Sequence, residues 1–418
     1  MKDNPASCVS RRRFLTSGIL AAAAGVCPAH AAETTTIRTP AAAASGIEPF
    51  RGAHQAGIIT PAQRHTYFAA FDLAAAGRDG LVKLLKTWTD AAARLTGGDP
   101  AADLGSDEAA PGPDSGEAMG LSPQRLTITF GFGAGMFTNP YGLASQRPEA
   151  LVDLPRFNGD QLAENFTGGD LSVQACAEDP QVAFHAVRQL ARLGADAARL
   201  RWVQSGFLPN TRPGETPRNL MGFKDGTNNP STGDAAAMGK FIWVDGPEWL
   251  RGGSYLVARR IRIALEHWDK MKLGFQEQTM GRCKYSGAPI GGAKEFDEPD
   301  YDATDKDGNP VIAENAHIRL ASHTNNDGAK ILRRPYSYND GANFTTERWP
   351  PWRQDMEYDA GLFFLCYQRD PRTGFIKLFE KMAKFDMMNQ FVTHTGSGLF
   401  ACPGGIGEGE FVGQKLFG

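Results

Sequence analysis

The sequence predicts an α+β protein that contains two copies of one folding unit, each with an antiparallel sheet and covering helices. Three observations support this prediction. The chain has 418 residues, which exceeds one ordinary hydrophobic core, since domains usually span roughly 100–200 residues. Strand-like and helix-like segments of the first half follow the order β-α-β, β-α-β. A stretch of the second half then repeats part of the first.

The first half contains the elements of a ferredoxin-like unit, in which two β-α-β segments share one antiparallel sheet. Alternating and aromatic residues predict strands, and apolar residues at helical spacing predict helices. The predicted strands are 65–73, 125–130, 171–177 and 199–203, and the predicted helices are 79–95 and 180–193. Segment 97–120 has six acidic and no basic residues, which predicts a surface loop or insertion.

The second half repeats a strand, an Asp-Pro turn and a helix. Residues 170–184 align with 361–375 without a gap, and the matching pairs are Leu171/Leu362, Asp179/Asp370, Pro180/Pro371 and Phe184/Phe375. Proline after aspartate is a common helix start. The other predicted elements are strands 254–263, 362–367 and 399–402 and helices 265–271 and 371–384. We therefore predict an N-terminal domain over 50–215 and a C-terminal domain over 216–418.

The first 31 residues are predicted to be an export signal, followed by a flexible leader over 32–49. Three arginines precede Phe14-Leu15, and a short apolar run then leads to the small-x-small pattern at 29–31, an order typical of a cleaved signal peptide. The run is too short for a stable membrane span. The arginines before Phe-Leu resemble the twin-arginine signal, which exports folded proteins. A plain secretory signal and a basic tail are the alternatives.

Export by the twin-arginine machinery implies a periplasmic or secreted protein, often one whose cofactor is inserted before export.

The formal net charge of −3 argues against a general nucleic-acid binder, because such proteins need a basic face. No C-x-x-C pair occurs, so a zinc site is not supported. Cys176 and Cys366 lie in apolar strand-like runs and are expected to be buried thiols, although the sequence cannot say whether cysteines pair.

Three short segments carry the candidate chemistry. Asp225 lies in GFKDGTNNP, His317 in ENAHIRLA, and Arg333 and Arg334 in ILRRPYSY. Each has a purely structural explanation when taken alone. The aspartate could be a turn residue, an isolated histidine is more often structural than a ligand, and adjacent arginines usually lie on a solvated face.

Together the three segments resemble the dye-decolourising peroxidase family. GFKDGT resembles the family's distal G-x-x-D-G motif, HIRLA its proximal haem-ligand segment, and LRRPYSY its distal arginine segment, with Pro335 in place of the usual glycine. HQAGIITP at 54–61, GRCKYSGAP at 281–289 and GLFFLCYQ at 361–368 also resemble family segments, in family order. The resemblance covers residues 50–418 and is strongest to the twin-arginine-exported branch, which includes deferrochelatases. It implies two ferredoxin-like domains around haem b.

The resemblance also implies roles for particular residues. His317 would bind the haem iron, and Asp386 would accept a hydrogen bond from its other ring nitrogen. Asp225 would be the distal acid and base for hydrogen peroxide, and Arg333 would stabilise charge as the O–O bond breaks. The remaining candidates would line the haem: Gly226, Thr227, Asn228, Ser322, His323, Thr324, Leu362 and Phe364. Of these, Leu362 and Phe364 share one face of a strand and would wall the distal pocket.

Three functions remain open on the sequence. The first is a haem-dependent peroxidase that reduces hydrogen peroxide and oxidises phenolic or dye-like aromatic donors. The second is a deferrochelatase, which releases iron from haem and leaves the porphyrin intact. The third is a non-enzymatic haem carrier, which would have no need of Asp225 together with Arg333. Similar proteins often form dimers or larger assemblies, so a homo-oligomer is expected.

The identity of the distal base predicts an acidic pH optimum. A base works only when it is deprotonated, and free aspartate titrates near ~3.9 whereas free histidine titrates near ~6.5. With Asp225 as base, we expect peroxide turnover to be fastest at roughly pH 4–5. Steady-state rates measured from acidic to alkaline buffer test this, and an optimum above neutral pH would contradict it.

Overall fold

The computed structural model describes residues 46–212, 214–346 and 354–418. The predicted signal at 1–31 and leader residues 32–45 lie outside this part of the chain. Within the described residues, no helix combines the length and apolar character that a membrane crossing requires.

The described residues form nine strands and seven α-helices. The strands are β1 (His65–Leu73), β2 (Thr127–Phe132), β3 (Leu171–Ala177), β4 (Ala198–Phe207), β5 (Ser254–Ile263), β6 (Leu332–Arg333), β7 (Tyr336–Thr346), β8 (Gln354–Gln368) and β9 (Val392–Cys402). The helices are α1 (Gly77–Gly97), α2 (Pro180–Leu193), α3 (Ala235–Phe241), α4 (Leu265–Trp268), α5 (Leu273–Met280), α6 (His317–Leu320) and α7 (Phe375–Phe385).

The antiparallel sheet closes on itself. Neighbouring strands follow the order β5-β9-β2-β3-β1-β4-β7-β8, and β8 returns to pair with β5. Each half contributes four strands in an equivalent order, β2-β3-β1-β4 from the first and β7-β8-β5-β9 from the second. The halves join through Phe132 with Ala401 and through Phe207 with Ser337. This shared order confirms the predicted α+β class with a duplicated unit.

Aromatic side chains from both halves fill the space that the closed sheet encloses. The ring centre of Phe68 on β1 lies 4.9 Å from Trp202, 5.3 Å from Phe363 and 6.0 Å from Phe400. Successive side chains of a strand point to opposite faces. Because Phe363 points into this core, its neighbour Leu362 points to the other face of β8, where it lines a cavity described below.

The second predicted helix of the repeat begins later than expected. Asp179 caps α2 by accepting from two backbone amides, as the Asp-Pro pattern predicts. At the equivalent place, Asp370 instead accepts from the backbone and side chain of Arg372. The prediction of a helix from 371 is therefore wrong, and α7 begins at Phe375, whose amide donates to Gln368 Oε1 at 2.6 Å.

Other boundaries also differ from the predictions. The predicted helix 265–271 ends at Trp268, and a separate helix, α5, follows it. Strand β7 was not predicted, because its NDGANFTT sequence is polar and lacks the apolar alternation of a strand, although β7 pairs with β8, the next strand along the chain. The predicted strand 399–402 extends back to Val392.

The acidic insertion at 97–120 is attached to α2 rather than being wholly solvated. The buried His185 imidazole lies between two of its carboxylates, with Nε2 3.4 Å from Asp114 and Nδ1 3.1 Å from Glu117. Arg188 lies 3.0 Å from the same oxygen of Glu117. Burial alone would raise the pKa of Glu117, but hydrogen bonds from Ser115, the backbone, His185 and Arg188 lower it to about 2.

Replacing Glu117 tests this attachment. A depressed pKa stabilises the fold above the ordinary glutamate pKa of 4.5, and this stabilisation is lost as the pH falls towards 2. We expect Glu117→Gln to lower the free energy of unfolding at neutral pH by about 2 kcal/mol, with the deficit shrinking below pH 4.5. Denaturant unfolding measures it, with exposed Glu108→Gln as control. A deficit that stays constant with pH would contradict the interpretation.

Candidate active site

Two of the predicted catalytic residues form an ion pair at a cavity of about 290 Å³. Arg333 on β6 donates from Nη1 to Asp225 Oδ1 at 2.5 Å. The arginine side chain is 25 % exposed and the aspartate side chain 12 %. Gly226 and Leu362 also line this cavity. The pair is therefore partly shielded yet accessible to a small molecule.

Asn229 fixes the backbone of Arg333 to the loop that carries Asp225. Its amide Nδ2 donates to the Arg333 carbonyl at 2.7 Å, and its Oδ1 accepts from the Arg333 amide at 3.1 Å. One side chain thus satisfies both backbone groups of a residue in a two-residue strand. The residue predicted from the sequence is the adjacent Asn228, which is exposed. A run of two asparagines gives no signal that distinguishes them.

A buried carboxylate fixes the other side of the same loop. Glu295 accepts from Lys224 Nζ at 2.5 Å and from Thr227 Oγ1 at 2.9 Å. Burial alone would raise the pKa of Glu295, but the hydrogen bonds from Lys224, Thr216 and Thr227 lower it. Gly226, which lies between Lys224 and Thr227 in the loop, has a φ of +127°, a conformation that favours glycine. The Thr227 hydroxyl therefore holds the loop, and Glu295 is a site residue that sequence reasoning missed.

His317, the first residue of α6, is oriented by Asp386. The carboxylate Oδ2 accepts from His317 Nδ1 at 2.7 Å, and Oδ1 accepts from the Met388 amide at 2.8 Å. The Asp386 side chain is 1 % exposed and that of His317 is 22 % exposed. With Nδ1 committed, Nε2 of His317 has no hydrogen-bond partner among the described residues. It is available as a ligand atom.

The histidine and the ion pair belong to one site. Burial alone would lower the pKa of His317, but the Asp386 carboxylate raises it above its ordinary value. The Arg333 charge lowers the pKa of His317 and the Asp225 charge raises it, so the histidine and the ion pair share one electrostatic environment. Four of the predicted residues thus form two ion pairs in one region.

The other predicted lining residues have varied surroundings. Phe364 packs against Phe375, with ring centres 5.9 Å apart, and is only half-buried. Ser322 is buried and donates to the Arg319 carbonyl at 3.0 Å. His323 is half-buried, and Thr324 is exposed. None of these four lines the cavity beside Asp225.

The described residues contain neither a disulfide nor a cluster of side chains that could hold a metal ion by itself. Cys176, Cys283, Cys366 and Cys402 are all unpaired, and the burial expected of Cys176 and Cys366 is confirmed. Within the residues that the structure covers, no group of three or more His, Cys, Asp or Glu side chains could hold a metal ion. A metal at this site would need ligands from a bound group in addition to His317.

Comparison with known proteins identifies relatives along almost the whole chain. The models described as Dyp-type peroxidase, N-terminal and C-terminal, match residues 55–208 and 216–407. A dye-decolorizing peroxidase of Thermobifida fusca (strain YX) is 40 % identical over 381 residues, which cover 87 % of this chain and 84 % of the relative. A deferrochelatase of Escherichia coli (strain K12) is 36 % identical over 429 residues, which cover 99 % and 98 %.

Solved structures show the same relationship. Ferric DtpA from Streptomyces lividans matches with a TM-score of 0.80 and 43 % identity, and the match covers 91 % of this chain and 100 % of that one. A DyP-type peroxidase from Cellulomonas bogoriensis matches with a TM-score of 0.77 and 38 % identity, covering 88 % and 98 %.

The Asn229 contacts predict a local effect on Arg333. Asn229→Leu keeps the approximate side-chain size but removes both hydrogen bonds to the Arg333 backbone, which costs about 1–3 kcal/mol locally. We expect the Arg333 amide to exchange with solvent deuterium faster by about ten-fold or more. Hydrogen exchange measures this, with Asn228→Leu as the matched control. Equal exchange of the Arg333 amide in both variants would contradict the conclusion that the Asn229 side chain holds the Arg333 backbone.

Proposed function

Because this chain belongs to the Dyp-type peroxidase family, we propose that it binds haem b and reduces hydrogen peroxide while oxidising phenolic or dye-like donors. Family membership makes the chain a haem peroxidase-type enzyme. That the haem is haem b, that the donors are phenolic or dye-like, and that the site residues have the roles given below is proposed. The observation that carries it is the Arg333–Asp225 pair at an accessible cavity, close to a histidine whose free nitrogen is Nε2.

The donor set fits haem. A porphyrin would supply four nitrogen ligands to its iron, so the protein would need to add one ligand, and His317 is an isolated imidazole with one free nitrogen. Asp386 accepts the other ring N–H, which raises ligand basicity and fixes the ring. Gly226 and Leu362 at the cavity would contact the bound group. When bound, haem would supply the redox chemistry that moves two electrons from donors to peroxide.

In the ion pair, Asp225 would transfer a proton and Arg333 would stabilise negative charge. An oxygen of Asp225 would accept a proton from one peroxide oxygen and return it to the other, which leaves as water. The Arg333 guanidinium would stabilise negative charge on the leaving oxygen as the O–O bond breaks. Their hydrogen bond of 2.5 Å fixes both groups before peroxide arrives, and Asn229 and Glu295 hold the supporting backbone.

A second candidate function is iron release from haem with the porphyrin left intact. It is favoured by the 36 % identity to deferrochelatases over 99 % of this chain. Both functions would use the same pocket. Extraction of the pigment after incubation separates them, because iron-free protoporphyrin would favour deferrochelatase and intact haem would favour peroxidase.

We also propose that residues 1–31 direct export of the folded protein through the twin-arginine machinery to the periplasm or beyond. The proposal rests on the arginines before Phe14-Leu15 and the small-x-small pattern. A homo-oligomeric state is proposed from the family resemblance alone.

Removing either member of the ion pair tests the peroxidase mechanism. We expect Asp225→Asn and Arg333→Leu each to lower kcat/KM for hydrogen peroxide by about 10²–10³-fold, since each removes a proton carrier or a stabilising charge. Stopped-flow and steady-state rates measure this, with exposed Glu215→Gln as control. Equal haem content in all variants excludes a folding defect. Wild-type rates in both variants would overturn the assigned roles.

A further inference from the structure

A second, larger cleft lies beside the proposed active site. Its volume is about 820 Å³, and it is formed by the end of α3, residues 327–330, and the turn between β8 and α7. Ala329 and Lys330 line this cleft, whereas Leu332 and Arg333 line the active-site cavity. One short backbone segment therefore separates the two.

Most charges in the cleft are paired, but two are not. Arg372 pairs with Asp370 and Glu149, and Lys377 pairs with Asp327. Arg369 similarly lies 3.5 Å from Asp245. The exceptions are Lys240 and Lys330, which have no carboxylate within ion-pair distance among the described residues.

The two unpaired ammonium groups flank one aromatic ring. Lys240 Nζ lies 5.0 Å and Lys330 Nζ 6.0 Å from the ring centre of Phe241, which is only half-buried. A flat apolar surface next to two positive charges complements a ligand with an aromatic body and an anionic group.

A buried tyrosine adds a directed donor. Tyr255 is 2 % exposed and lines the cleft, and its hydroxyl has no hydrogen-bond partner among the residues described. The hydroxyl oxygen is not itself fully buried, so it is open to the cleft and available to a ligand. Burial raises the pKa of Tyr255 above its ordinary value, which keeps the hydroxyl protonated and able to donate.

We propose that this cleft binds an aromatic anion, a phenol that carries a carboxylate or sulfonate, as the reducing substrate. Lys240 and Lys330 would bind the anionic group, the Phe241 ring would contact the aromatic body, and Tyr255 would donate to an oxygen. The inference rests on the proposed peroxidase function. Two phenol molecules would each lose one electron and one proton, and hydrogen peroxide would take both and become two waters. The active-site cavity would then need to admit peroxide alone.

Binding is tested first, without turnover. Naphthalene-2-sulfonate, which has no phenol to oxidise, is titrated into the holoenzyme by calorimetry. We expect Lys240→Gln/Lys330→Gln to weaken binding by about ten-fold, because two charge contacts are lost, and Tyr255→Phe to weaken it by less. Exposed Lys270→Gln is the control. No binding to wild type, or equal binding to the double variant, would overturn the proposed site.

Kinetics then test the donor role. The double variant should raise KM for 4-hydroxybenzenesulfonate by about ten-fold and leave KM for neutral 4-hydroxybenzyl alcohol and for peroxide unchanged. Equal changes for both phenols would overturn the donor role. If wild type oxidises neither phenol, the peroxidase function fails, and the calorimetry still decides whether the cleft binds aromatic anions.

Discussion

The pairing of β8 with β5, β6 and β7 is the constraint on which the proposed site depends. Alternation along β8 directs Phe363 into the core between the two halves and Leu362 to the cavity. A slip of one residue would exchange the two faces. The same strand holds β6 in place, and β6 carries Arg333. The register of β8 thus determines both that Leu362 lines the cavity and where the Arg333 guanidinium lies.

The two ion pairs of the site differ in exposure, and this difference suits different tasks. The Asp386 carboxylate is almost completely buried and both of its oxygens accept hydrogen bonds, so it can only orient His317. Asp225 and Arg333 are more accessible, which the proposed proton carrier and charge-stabilising group for a small molecule would need to be. Removing His317 would leave the buried Asp386 carboxylate without a compensating partner. The orientation of His317 and the stability of the fold therefore depend on the same pair.

Local sequence patterns predicted the elements whose ends are determined locally. Strand β3 and helix α2 begin and end as predicted, because Asp179 caps the helix from the adjacent position. Helix α7 begins four residues late, at Phe375, whose amide donates to Gln368, a residue positioned by the sheet. For the site, residue patterns alone left Asp225, His317 and Arg333 with structural explanations, and only the family resemblance connected them. Asn229 and Glu295 could not be found, since their partners are distant in sequence.

We propose that His317 is the one protein ligand to haem. The most direct test is a haem titration of His317→Gly with and without free imidazole, followed by absorbance. We predict that the variant loses at least about 100-fold in haem affinity and that imidazole restores the wild-type spectrum, because it fills the vacated ligand position. Wild-type affinity and spectrum in His317→Gly without imidazole would contradict the claim.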